Sequence, residues 1–232
     1  MRRDLLASVA LICVTWCATD VRAQVSGSVS AVSNYRYRGV TLSHNDPAAQ
    51  AALVYDDSRG FYAGAFASTV RIGQPISNEV QGIFFAGYAH TTSFGATFEA
   101  GAVYSGFTGT TSYAYPEVLV GATYERISAR LHYSPNYYGR GSQAIYGELD
   151  ASHRWVDHVQ LVAHVGVLQT NARDIYGSTV DPIYDGRVGV LFDFDRFNIQ
   201  LSWVGISESY AGYGLTRVQS KNGVVASVSW LF

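Results

Sequence analysis

Phe197-Asn198-Ile199-Gln200-Leu201-Ser202-Trp203 sets Phe197, Ile199, Leu201 and Trp203 on one face and Asn198, Gln200 and Ser202 on the other. Successive side chains of a strand point to opposite faces, so this stretch reads as a strand with one apolar and one polar side. Three further stretches repeat it. Across 222–232, Val224, Ala226, Val228, Trp230 and Phe232 oppose Ser227 and Ser229. Across 143–154, Ile145, Gly147, Leu149 and Ala151 oppose Glu148, Asp150, Ser152 and Arg154. Across 25–40, Val29, Ala31, Tyr35 and Tyr37 oppose Ser28, Ser30, Asn34, Arg36 and Arg38.

Which face points inward follows from composition. The chain of 232 residues is 48% hydrophobic, 14% aromatic and only 15% charged. A soluble barrel hides its apolar face and needs charge over its whole exterior, for which 15% is thin. A barrel in a bilayer does the reverse, with apolar residues against lipid and polar ones in the lumen. Low charge and high aromatic content also exclude a disordered chain. All but one of the 16 basic residues are Arg, and they are scattered singly, so no basic stripe suggests a nucleic-acid partner.

Strands are expected at 25–40, 47–56, 60–70, 79–90, 93–104, 113–124, 127–134, 143–154, 158–170, 182–193, 196–206 and 222–232. The connections alternate in length. Those after the second, fourth, sixth, eighth and tenth strands are tiny, such as Glu125-Arg126 and Phe194-Asp195. Those after the odd-numbered strands are longer, up to 207–221. Short periplasmic turns and longer extracellular loops are what a transmembrane barrel makes. The expected fold is therefore all-β: a single closed antiparallel transmembrane β-barrel of about 12 strands. Tyr35, Tyr37, Tyr55, Phe61, Tyr88, Phe94, Tyr113, Tyr124, Tyr133, Tyr184, Phe197 and Trp203 sit near strand ends, where interfacial girdles would place them.

The first 23 residues read as a cleaved signal peptide, which leaves 24–232 as the barrel domain. Arg2 and Arg3 precede an apolar run from Leu5 to Ala18, and Val21-Arg22-Ala23 supplies small residues at −3 and −1 of a cut before Gln24. Cys13 and Cys17 both lie in that segment, so the exported part uses no disulfide and no thiolate metal site. Closure replaces them, because in lipid a closed sheet pairs every backbone group within the protein.

Asn34-Tyr35-Arg36-Tyr37-Arg38-Gly39-Val40-Thr41-Leu42-Ser43, with Asp46-Pro47-Ala48-Ala49-Gln50, resembles the N-terminal signature of the TorF family. Gly60-Phe61-Tyr62-Ala63-Gly64 and Tyr133-Ser134-Pro135-Asn136-Tyr137-Tyr138-Gly139 are similar to two further segments of it. Asn34 stands where an acidic residue is common in that family. The resemblance implies a porin-like barrel of the Gram-negative outer membrane, with no substrate and no catalytic residue to carry over. Ser229-Trp230-Leu231-Phe232 is similar to the terminal signal read by the barrel-assembly machinery, with Trp230 and Phe232 as its aromatic parts.

With the polar face inward, the pore-lining candidates are Arg36, Arg38, Arg130, Arg154 and Arg187, then Glu99, Glu117, Glu148, Asp150, Asp185 and Asp193, with His132 and His164. These groups form either a charged constriction or a salt-bridge network that fills a narrow barrel. Arg36 and Arg38 are expected to share a face, where their guanidinium forks suit an anionic solute or lumen carboxylates, and the lock onto lumen carboxylates is the favoured reading. His132 and Ser134, with Asn136, have the spacing of a lipid hydrolase, yet they point to the lumen and Pro135 follows, so no catalytic residue is assigned. The six histidines show no ligand spacing, so no metal and no cofactor is expected. The loops 171–181 and 207–221 are free to fold inward as a plug or outward as a recognition surface. The reading is a non-enzymatic outer-membrane porin passing small hydrophilic solutes by diffusion. Its partners are outer-membrane lipid, those solutes and, during biogenesis, the assembly machinery. The competing reading is a closed barrel acting as an anchor, surface-binding or structural protein.

Overall fold

The computed structural model describes residues 24–72, 76–109, 113–172, 181–207 and 220–232. Fourteen strands lie among them, in chain order: β1 (Gln24–Val32), β2 (Arg36–Tyr37), β3 (Val40–Thr41), β4 (Ala48–Asp56), β5 (Phe61–Ile72), β6 (Ser77–Thr91), β7 (Thr97–Phe107), β8 (Tyr115–Tyr124), β9 (Ile127–Tyr137), β10 (Ser142–Val156), β11 (Val159–Thr170), β12 (Ile183–Phe194), β13 (Phe197–Ile206) and β14 (Asn222–Leu231). All but β2 and β3 join one closed antiparallel barrel of 12 strands. The expected all-β closed barrel is therefore the observed fold. The signal-peptide segment 1–23 and most of the loops 171–181 and 207–221 lie outside the described residues.

Closure is made by β1, which pairs with β14 (Ala31 opposite Val228) and with β4 (Val32 opposite Ala48). Gly27 and Phe232 exchange both backbone hydrogen bonds, at 2.9 and 3.0 Å, so the seam is sealed to the last residue. A closed ladder leaves no edge to aggregate or to be solvated.

The alternation that set the faces is realised along every long strand. Leu53, Phe84, Val120, Leu131, Leu149, Val165, Val188, Leu201 and Val224 all stand exposed on the outer wall. Their inward neighbours are small or polar at mid-barrel, among them Gln50, Ser68, Gln81, Arg130, Glu148 and Ser202. Exposed aromatics crowd the short-turn end: Tyr55, Phe61, Tyr88, Phe94, Phe98, Tyr124, Trp155, Phe194, Phe197, Trp230 and Phe232. Among the described residues the long-loop end carries fewer, namely Tyr104, Tyr133, Tyr184 and Trp203.

The short turns are built from local chemistry. In 57–60, Asp57 Oδ1 accepts hydrogen bonds from the Arg59 backbone N–H at 2.6 Å and from Arg59 Nε at 3.1 Å. The Arg59 side chain first, and its backbone second, hold the Asp57 carboxyl down at about 2. Gly60 follows at φ +100°, a value L side chains rarely adopt. Pro135 lies where β9 and β10 change register between Ser142 and Ala144. Proline has no N–H for the ladder, and a bulge accommodates it.

Two kinds of expectation need correction, the bounds of two strands and the nature of the interior. The strand expected over 25–40 ends at Val32. From there the chain turns into the barrel as an excursion, 33–47, carrying the small hairpin β2–β3, with Arg36 opposite Thr41 and Tyr37 opposite Val40. The reversal needs left-handed backbone at Arg38 (φ 49°) and Gly39 (φ 77°). Tyr35 and Tyr37 are consequently buried inside the barrel and belong to no interfacial girdle. The strand expected from 93 begins at Thr97, because Thr92–Ala96 forms a turn around Gly95 at φ 91°.

The second correction concerns the interior. It is not polar throughout. In its long-loop half the inward positions are Val70, Ile72, Val103, Phe107, Tyr115, Leu168, Ile183 and Ile206, all buried and packed with Tyr35, Tyr37, Val40 and Leu42 of the excursion. That half has a hydrophobic core like that of a soluble domain. The excursion supplies its centre.

Candidate functional site

The excursion 33–47 is fastened at several points. Within it, Tyr35 N–H donates to Ser43 Oγ (2.9 Å), Thr41 Oγ1 donates to Asn34 Oδ1 (2.7 Å) and Asn34 Nδ2 donates to Asn45 Oδ1 (3.0 Å). Tyr35 Oη reaches Gln81 of β6 at 2.9 Å, and Asp46 pairs with Arg71 of β5. Gly39 presses against the far wall: a Cβ there would stand 2.7 Å from Asp185 Cβ.

Arg38 is the main lock. Its two terminal nitrogens bind both oxygens of Glu117 on β8, at 2.9 and 2.8 Å, and both side chains are almost wholly buried. Tyr137 Oη accepts a third bond at 3.2 Å. The guanidinium also lies over the rings of Tyr146 (4.2 Å), Tyr37 (5.1 Å) and Tyr137 (5.7 Å). A planar guanidinium suits both contacts, the carboxylate through its fork and the rings through its face. Arg36 does otherwise. Among the described residues it meets no carboxylate, and it donates to Gly39 O (3.1 Å), Ser220 O (3.3 Å) and Ser220 Oγ (2.6 Å), tying the hairpin to the residues just before β14. The expected carboxylate lock thus holds for Arg38, while the described partners of Arg36 are neutral groups.

The remaining charged candidates form one wall across β7 to β12. Arg130 Nε meets Glu99 Oε1 at 2.6 Å, and Tyr62 Oη donates to the other oxygen of Glu99 at 3.0 Å. His132, fully buried, stands between Glu117 (3.8 Å) and Glu148 (3.3 Å). His164 bridges Asp150 (2.9 Å) and Asp185 (3.1 Å), and Tyr146 Oη reaches Asp185 at 3.1 Å. Arg187 lies 3.8 Å from Asp150, and Arg154 lies 3.2 Å from Asp193. Gly166 leaves the space for this cluster: a Cβ there would stand 2.1 Å from Tyr146 Oη and 2.6 Å from Asp185 Oδ2.

The opposite wall, from β13 through β14 and β1 to β4, is uncharged at mid-barrel. It presents Asn198, Gln200, Ser202, Ser227, Ser229, Ser28, Ser30 and Gln50. Between the walls lies a cavity of about 270 Å³, lined from Ser26, Thr97, Thr123 and Leu231 near the short turns up to Arg36–Gly39 of the hairpin. Arg36, Arg38, Glu99, Arg130, Glu148, His164, Asp185 and Arg187 line it. Glu117, His132, Asp150, Arg154 and Asp193 also point inward but are taken up by the ion pairs behind that surface.

The hydrolase-like trio is not assembled. His132 and Ser134 are both completely buried, while Asn136 is exposed and its Oδ1 accepts from Gly141 N–H at 2.6 Å. Among the described residues one trio, Glu148, Asp150 and His164, has its ligand-type atoms within 4.8 Å of one another. Both ring nitrogens of His164 are already engaged by Asp150 and Asp185, so the trio is accounted for as an ion-pair network.

The aromatic cage was missed from the sequence. Tyr115, Tyr137 and Tyr138 have ring centroids 4.7–4.8 Å apart, and the Tyr137 ring also faces Arg38, as do those of Tyr37 and Tyr146. The signal that marks the excursion is Arg38-Gly39 as a reversal, with Pro47 closing the stretch before β4.

Comparison with solved structures finds the same architecture. KdgM porin superposes with a TM-score of 0.54 at 10% identity, covering 89% of this chain and 99% of that one. KdgM porin in complex with disordered oligogalacturonate gives 0.54 at 9% identity, covering 91% and 99%. A third barrel, solved in work on the in-meso crystallization of membrane proteins, gives 0.55 at 7% identity, covering 90% and 83%. At such identities the likeness is one of fold. No curated protein matches the sequence. The family model that matches residues 18–232 bears a different label from that of the TorF resemblance, and on that match the chain belongs to the Gcw_chp family, described as bacterial proteins of unknown function.

Proposed function

We propose that the protein is an outer-membrane porin through which small hydrophilic solutes diffuse passively along a narrow lumen. The observation that carries the reading is the cavity: a space lined by both apolar and polar side chains, running from the short-turn end up to the hairpin, inside a barrel whose outer wall is apolar. Hydrocarbon is the medium such an outer wall fits, and the short turns and termini then face the periplasm. Trp230 and Phe232, both exposed on the outer wall, keep their proposed role as the signal to the assembly machinery. The oligogalacturonate named with KdgM porin is not carried over, since a likeness at 9% identity is one of fold alone.

The closed-barrel reading has one observation in its favour, the hydrophobic core in the long-loop half. The two readings meet in the excursion 33–47. It leaves and re-enters the barrel between Val32 and Ala48, which are paired with each other, so removing it breaks no ladder pairing. Liposome swelling tests the reading. Vesicles containing the protein are expected to swell in a small neutral solute faster than empty vesicles. A variant joining Ser33 to Pro47 through a two-residue Asn-Gly turn is expected to swell them several-fold faster still. Swelling no faster than in empty vesicles, with both barrels folded, sinks the porin reading in favour of the anchor or binding protein.

A further inference from the structure

The cavity beneath the hairpin has three chemically distinct sides. On β5 and β6 it is lined by the rings of Phe66 and Phe85, held by Tyr35 at 5.8 Å and Tyr62 at 6.3 Å between ring centroids. Across from them stand the hydroxyls and amide of Ser28, Ser227 and Gln200. The third side presents the carboxylates of Glu148 and Asp185 together with Arg130, His164 and Arg187.

We infer that this compartment is a binding site for a small uncharged polyhydroxylated solute of the hexose kind, and that it rejects the corresponding uronate. Each side matches one property of such a molecule. Aromatic rings cover a ring's C–H face with apolar area. Hydroxyls and an amide both donate and accept, as a set of hydroxyls requires. Carboxylates accept hydroxyl hydrogen bonds with charge assistance, which strengthens them. The volume of about 270 Å³ suits a single small solute, just under the ~300–1,000 Å³ of ordinary ligand pockets.

Discrimination against the uronate follows from where the cations are. Arg38 is bound by Glu117 and Arg130 by Glu99. Arg187 faces Asp150, and His164 sits between Asp150 and Asp185. Arg36 lines the cavity with its terminal nitrogens on Gly39 and Ser220. A carboxylate entering the site meets Glu148 and Asp185 and must compete with pairs already formed, which a buried charge does at high cost.

The inference rests on the porin reading for how solute reaches the site, and the test is chosen to separate the two. Saturation-transfer NMR is recorded on the purified, folded protein in deuterated detergent, with D-galactose and D-galacturonate at equal concentration and neutral pH. The expected result is a galactose signal several-fold above that of galacturonate, lost when Ser227→Phe fills the cavity. Glu148→Gln with Asp185→Asn is expected to raise the galacturonate signal towards that of galactose. A galacturonate signal equal to or above that of galactose overturns the inference, as does a galactose signal unchanged in Ser227→Phe. Should Ser227→Phe fail to fold, Ser30→Phe, diagonal to Ser227 on the neighbouring strand β1 and on the same cavity, is read the same way. Absence of swelling in the vesicle experiment, with the NMR contrast intact, removes the porin reading and leaves the site.

Discussion

Unfolding of the Glu117→Ala barrel by denaturant is expected to require about 3–5 kcal/mol less free energy than unfolding of the wild type, the usual cost of leaving a buried charge without its partner. The reason is the position of Arg38. Its guanidinium is almost wholly buried and two of its hydrogen bonds end on Glu117, so the alanine variant keeps the charge and loses its counter-charge. The Tyr137 hydroxyl and the surrounding rings offset only part of that loss. Arg38→Met combined with Glu117→Leu removes both charges at similar volume and should fall much nearer the wild type, because a buried pair is often replaceable by apolar groups. Equilibrium denaturation of the three proteins under one set of detergent conditions checks this. A single variant as stable as the wild type would mean that the hairpin is not held by this pair.

Leu201→Arg is the second large effect. Leu201 lies mid-strand on the outer wall, opposite Val190 and Ala226, and is 52% exposed. A charge there faces the hydrocarbon midplane and is expected to cost about 2–4 kcal/mol. Its neighbour Ser202 points the other way, 3% exposed and on the cavity. Ser202→Arg has space to extend into that cavity and should cost much less. Costs that come out equal or reversed, measured by refolding titration into lipid, would contradict the assignment of inside and outside.

The same two residues show why so much of the fold was legible. A period of two in Phe197–Trp203 says which side chains share a face, and the low charge of the chain says which face meets the surroundings. Sorting of short and long connections then supplies antiparallel order, and 12 strands close in the observed barrel. The reading failed at residues 33–40, and for a physical reason. A hairpin strand alternates as a barrel strand does, so Tyr35, Arg36, Tyr37 and Arg38 extend the pattern of β1 without a break although the backbone has turned inward. Burial on both sides, from Asn34 to Val40, is a property of three dimensions and leaves no mark on a period-two pattern.

At the site, the inward direction of the charged residues was legible and their partners were not. Glu117 and Arg38 are distant in sequence and meet only because the excursion crosses the lumen. Nothing in the sequence says that Tyr115, Tyr137 and Tyr138 pack together, or that Arg38 meets the rings of Tyr37, Tyr137 and Tyr146 once the excursion crosses the lumen. The hydrophobic core of the long-loop half was hidden for the same reason. A chain whose alternation sets polar residues inward at mid-barrel gives no warning that one loop brings its own apolar side chains to meet Val70, Phe107 and Ile183.

Single-channel recording of the purified protein in a planar bilayer tests the central claim most directly. Discrete, small conductance steps are the predicted result, with a reversal potential in a salt gradient that reports whether the arginines or the carboxylates of the charged wall dominate. A protein that is demonstrably folded and inserted, yet never conducts either as wild type or after removal of the 33–47 excursion, would contradict it.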